Sequence, residues 1–160
     1  MPDVDPSVFR QLCGRFATGV SVITTADASG RPAGMTANSF TSVSLTPPLI
    51  SVCIDHRADM HARLLVVPRF IVNILEQHQE ALSRRFATDL DDKFSGVGYT
   101  RTESGLPILD GTLAWIECER DALIEAGDHT IVLGRVVGGG AGEGLPLLYY
   151  RGGYFDLSHP

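Results

Sequence analysis

Apolar and polar positions change rhythm several times along this chain, and each change marks an element. After Asp5-Pro6, which suits a helix start, Phe9, Leu12, Cys13 and Phe16 recur at helical spacing and predict a buried stripe. Past Gly19, Val20 to Thr25 is rich in β-branched residues and predicts a strand. Asp27 to Gly30 has turn composition, and Arg31 to Phe40 reads as the second arm of a hairpin. Leu49 to Ile54 is a third strand after Pro47-Pro48, and Asp59 to Val67 a short helix stopped by Pro68. Phe70 to Leu75 is a fourth strand, followed by an amphipathic helix over Gln77 to Ala87, with Leu82 and Phe86 four apart. Thr88 to Gly111 is polar and turn-rich, with Phe94, Tyr99, Ile108 and Leu109 as isolated anchors. Thr112 to Cys118, Thr130 to Val137 and Leu147 to Tyr150 predict further strands, with a last one near Tyr154.

Hairpin-linked strands with irregularly placed helices do not make the βαβ alternation of a parallel sheet. The expectation is a mostly β fold, an antiparallel barrel with helices outside, in one domain over residues 1–160.

Composition changes this picture little. The 160 residues are 44% hydrophobic and 20% charged, as in an ordinary globular domain. No apolar run is long enough for a membrane span, and the acidic N-terminus lacks a signal-peptide pattern, so a cytoplasmic protein is expected. A net charge of −6 argues against nucleic-acid binding. Lys93 is the one lysine among 13 basic residues, a skew that a GC-rich coding genome accounts for more readily than a need for planar bidentate anion contacts. Cys13, Cys53 and Cys118 are widely spaced in apolar surroundings and read as buried thiols. His56 and His61 are five apart, the wrong spacing for one helical face, so no metal is expected. Gly138 to Gly144 fails the dinucleotide fingerprint, with Glu143 where a glycine is required, and reads as a mobile hairpin loop.

Gly34 to Leu45 is unusual for a packing strand. Thr36, Asn38, Ser39, Thr41 and Ser42 crowd small hydrogen-bonding side chains into seven positions, which lets a ligand approach the backbone closely. A hairpin whose polar residues face water would look similar. Cys53-Ile-Asp-His-Arg57 ends a buried strand, where a barrel mouth would lie. Ser83-Arg-Arg-Phe-Ala87 sets two guanidinium groups beside a hydroxyl and an aromatic ring. Arginine binds phosphate in bidentate fashion, although a solvated helix face has the same spacing. Gly127-Asp-His129 precedes an apolar strand, and a lone histidine there is often structural.

Taken in order, Arg15 to Thr25, Met35 to Leu45, Pro47-Pro-Leu49, Arg85-Phe-Ala87 and Gly127-Asp-His129 resemble the flavin reductase family. These are small reductase components of two-component flavin monooxygenases. The resemblance implies an FMN-binding split barrel, a homodimer, and a flavin near the dimer interface. It places Thr36, Ala37, Asn38 and Ser39 at the flavin ring edge and Cys53, Ile54, Asp55, His56 and Arg57 alongside it. It adds Ser83, Phe86, Ala87 and Lys93 as contacts and Arg84 or Arg85 as phosphate partner. It assigns His129 to binding and orienting NADH, with Tyr154 stacking on the nicotinamide or merely packing. The implied activity is reduction of FMN or FAD by NADH, less so NADPH, with reduced flavin passing to a separate monooxygenase. A self-contained flavoprotein with tightly bound FMN, or a non-enzymatic flavin carrier, stays open at this point.

Overall fold

The structure is a computed structural model and describes residues 3–157. Met1-Pro2, where the acidic N-terminus begins, and the last three positions of the domain lie outside the described residues. Twelve strands follow in chain order: β1 (Thr18–Gly19), β2 (Ser21–Ala26), β3 (Pro32–Ala37), β4 (Thr41–Leu45), β5 (Pro48–Asp55), β6 (Arg69–Ile74), β7 (Tyr99–Arg101), β8 (Pro107–Leu109), β9 (Ala114–Ala126), β10 (His129–Ala141), β11 (Leu148–Tyr150) and β12 (Gly153–Phe155). The helices are α1 (Pro6–Cys13), α2 (Asp59–Val66) and α3 (Glu80–Phe86).

The main sheet runs β3-β2-β6-β9-β10-β5-β4, antiparallel at every pairing, beside a β1-β11-β12 sheet and a β7-β8 hairpin. It curls until Ile23 of β2 and Val52 of β5 share one core with Phe70, Val132 and, from α2, Met60 and Leu64. The sheet nevertheless ends at β3 and β4. The barrel is therefore split, as the resemblance implies, and antiparallel, as the strand pattern predicts. A second core, under α3, joins Val20, Val22, Leu75, Phe86, Phe94, Leu109 and Leu147.

Strand alternation sorts the site residues. On β5, Ile50, Val52 and Ile54 point inward, leaving Ser51, Cys53 and Asp55 on the outer face. On the paired β10, Thr130, Val132 and Gly134 point inward, and His129 and Ile131 lie outside opposite Asp55 and Cys53.

Several expectations change. The α1 stripe is shorter than expected and not buried: the helix ends at Cys13, so Phe16 lies in the turn beyond it, and Phe9, Leu12, Cys13 and Phe16 are all exposed because no other part of the described chain covers them. Residues 31–40 do not form one strand; β3 stops at Ala37, and β4, which the pattern did not reveal, pairs with β5. Gly138, Gly139 and Gly140 are not a loop but the end of β10, laddered to β9. Glycine suits this position because a Cβ at Gly140 would lie 2.7 Å from the Trp115 indole nitrogen and one at Gly139 2.8 Å from the Trp115 carbonyl oxygen. The polar stretch after α3 hides the β7-β8 hairpin. No helix among the described residues is long and apolar enough to cross a membrane.

Candidate active site

β3 leaves the sheet after Ala37, and residues 38–40 make no ladder pairing. Two adjoining cavities meet there, sharing Val20, Ala37 and Asn38. The larger of them, about 210 Å³, is completed by Thr36, Ala87, Tyr149 and Tyr154.

Hydrogen bonding decides which polar groups here remain available to a ligand. Thr36 Oγ1 donates to the Ser83 carbonyl at 2.6 Å. Ser39 Oγ accepts from the Cys53 amide at 2.9 Å and lies 3.3 Å from the Cys53 carbonyl. Both hydroxyls are thus engaged, Thr36 tying β3 to α3 and Ser39 tying the segment after β3 to β5. Among the described residues Asn38 alone of this set keeps a side-chain amide with no internal partner, at the junction of the two cavities.

α3 is clamped over the groove through Ser83, whose hydroxyl lies 2.8 Å from the Tyr154 hydroxyl. The Arg84 guanidinium sits 4.9 Å above the Tyr154 ring while its Nε donates to Glu80 Oε1 at 2.8 Å. Arg85 turns away: its guanidinium donates to the Lys93 carbonyl at 2.6 Å and the Ser95 carbonyl at 2.7 Å, organising the following loop. Phe86 is fully buried, with its ring against Gly34 and edge-on to Phe94, so only its backbone is near the groove. Lys93 donates to the Gly34 and Phe86 carbonyls, and burial pulls its pKa down. It lines a different cavity of about 390 Å³ with Arg31, Asp59 and Arg63.

On the outer face of β5 and β10, Cys53 and Asp55 alternate along β5 and His129 stands opposite Asp55. His129 Nδ1 donates to Asp128 Oδ1 at 2.7 Å, and that bond lowers the Asp128 pKa. Asp55 accepts from the Arg57 amide at 2.8 Å and from its guanidinium at 2.9 and 3.2 Å, which holds the Asp55 carboxyl far below its usual range. Arg57 is thereby occupied, at the surface. His129 lines neither cavity at Asn38.

Ile54 is fully buried in the barrel, on the reverse of that face. His56 meets His61 and Glu125 there, around the buried Thr130 hydroxyl. The helical-spacing argument against a metal does not apply, since His56 precedes α2 and only His61 lies on it. Glu125 and Thr130 arrive from the far end of the β9-β10 hairpin, which no local pattern announces. Tyr149 was also missed; its one signal is its place just before Arg151-Gly-Gly-Tyr154.

Fold and groove define a small split barrel with an open groove at one sheet edge. A family model described as the flavin reductase like domain matches residues 13–158. The chain belongs to this family. It is 44% identical over 154 residues to the stachydrine N-demethylase reductase subunit Stc3 of Rhizobium meliloti, covering 96% of this chain and 67% of that one. A flavin reductase of Pseudomonas putida is 41% identical, with 94% and 89% covered. The Streptomyces globisporus NADH:FAD oxidoreductase SgcE6, solved with NAD and FAD fragments, superposes with a TM-score of 0.90 at 40% identity, covering 99% and 98%. Some relatives are longer: the chain spans 49% of a probable flavin reductase of Rhizobium meliloti.

Proposed function

We propose that this chain is an NADH-dependent flavin reductase that reduces FMN or FAD and releases the reduced flavin to a separate flavin-dependent monooxygenase. The groove around Asn38 carries this reading. Ala37 and Ala87 leave room for a flat ring, Tyr149 and Tyr154 give apolar walls, and the Asn38 amide can donate and accept at the ring's polar edge. Bound together, flavin and nicotinamide supply the hydride transfer themselves. The protein's part is orientation. His129, held by Asp128, stands on the outer β10 face as the nicotinamide partner, and Arg84 is the phosphate partner.

A groove of about 210 Å³ is smaller than the ~300–1,000 Å³ that encloses a typical small ligand. One chain thus covers a flavin only in part. This favours an exchanging flavin over a tightly held prosthetic group, and a homodimer in which the second copy closes the groove. For the activity itself, relatives' names are in support: Streptomyces globisporus has an NADH-dependent FAD reductase, and HsaB of Rhodococcus jostii is a monooxygenase reductase subunit.

The test is steady-state NADH and NADPH oxidation with FAD or FMN, alongside flavin retention on gel filtration. A colourless protein that oxidises NADH only when flavin is supplied is expected. A yellow protein that consumes no NADH with free flavin sinks the proposal. His129→Ala is expected to raise the NADH KM about tenfold, a loss of about 1.4 kcal/mol, with flavin affinity nearly unchanged.

A further inference from the structure

Behind the strand ends that carry Asp55 and His129, four elements bring side chains to one point. His56 comes from the turn after β5, His61 from α2, Glu125 from the end of β9 and Thr130 from the start of β10. His61 Nε2 lies 2.8 Å and His56 Nε2 3.2 Å from Thr130 Oγ1. The Thr130 hydroxyl donates its single proton to Glu125 Oε1 at 2.9 Å, so towards both imidazoles it can only accept. Glu125 Oε2 is a further 3.1 Å from His56 Nε2.

Two imidazole nitrogens and a carboxylate thus converge, all within 4.8 Å of one another, with the rings 4.8 Å apart at 59°. Thr130 is fully buried, and its hydroxyl, donating to Glu125 and facing both Nε2 atoms, anchors the cluster to the barrel. Paired imidazoles select a transition metal over Mg²⁺ or Ca²⁺, which prefer all-oxygen sites.

We propose that His56, His61 and Glu125 bind one divalent transition-metal ion of the Zn²⁺ type, with water in the fourth position. Binding replaces the Nε2 protons: each imidazole presents its Nε2 lone pair and carries its proton on Nδ1. The carboxylate supplies the third ligand atom, and Thr130 continues to donate to Glu125.

The experiment titrates metal-free full-length protein with Co²⁺, following visible absorption, and with Zn²⁺, following heat, with stoichiometry from native mass spectrometry. One ion per chain is expected. Glu125→Gln, an exposed change that leaves the fold intact, and His61→Ala are each expected to weaken affinity at least tenfold. Thr130→Val, which keeps all three ligands, is expected to weaken it about tenfold through loss of the orienting bond. His78→Ala, at the separate His78–Glu76 pair, is expected to bind as the wild type does. Absence of stoichiometric binding, or equal binding by the wild type and a Glu125→Gln, His61→Ala double variant, overturns the assignment.

Discussion

A methyl group added at Gly34 would sit 2.7 and 2.9 Å from two ring carbons of Phe86 and 3.3 Å from the Ile23 carbonyl oxygen. Phe86 is fully buried against Phe94, with ring centroids 5.0 Å apart, so it has little room to yield. Gly34→Ala is expected to cost about 1–3 kcal/mol, the range for overpacking, read from the urea midpoint. Cys118 offers a second test. Desolvation first, and the nearby Glu117 charge second, push its thiol up to about 12. Its folded value therefore lies above the ordinary one. The stabilising share is complete below about pH 9 and is lost as pH rises towards 12. At neutral pH a thiol reagent is expected to label Cys118 only after unfolding; fast native labelling of Cys118 would refute its burial. At this scale the sequence marks Gly34 to Leu45 as unusually polar, but not which of its groups stay free. Thr36 and Ser39 are engaged by partners 47 and 14 positions away, which only the folded chain brings near.

Elements were legible where they are long and regular. β2, β5, β6 and α2 follow from β-branched or helical periodicity within a residue or two. The β7-β8 hairpin was not, because its strands are three residues each and its anchoring is distant. Fully buried Asn73 holds it: Oδ1 accepts from the Leu109 amide at 2.9 Å, and Nδ2 donates to the Val22 carbonyl at 3.0 Å and to Thr24 Oγ1 at 2.9 Å. Thr24 Oγ1 in turn donates to the Pro107 carbonyl at 2.6 Å. Asn73→Leu leaves the Leu109 amide buried without its partner, a cost of about 1–3 kcal/mol. Amide hydrogen exchange is expected to show the hairpin losing protection before the barrel strands. Uniform loss across β6 and β9 would instead make Asn73 a barrel residue. The end of β10 escaped notice for the opposite reason: glycine weakens strands by propensity, and only Trp115 on the neighbouring strand makes glycine fit there.

The whole molecule leaves one face unaccounted for. α1 is well started, with Asp5 accepting from the Ser7 amide at 2.8 Å, and its last turn is tied down where the Arg151 amide donates to the Gly14 carbonyl at 3.0 Å. Yet Phe9, Leu12 and Phe16 are 60, 63 and 79% exposed. Eight residues are too few for a helix to persist in water on propensity alone, where about 12–15 are marginal. An apolar stripe on such a helix must therefore be covered to hold it. In the proposed homodimer a second copy covers this stripe. The double change Leu12→Asp, Phe16→Ser removes the stripe at exposed positions and spares both cores. By light scattering at micromolar concentration the wild type is expected to be a dimer and the variant a monomer with an unchanged strand signal in circular dichroism. Flavin-dependent NADH oxidation by the variant should then fall at least tenfold, chiefly through a higher flavin KM. A monomeric wild type, or a variant that stays dimeric with full activity, would separate α1 from assembly and leave the groove a one-chain site.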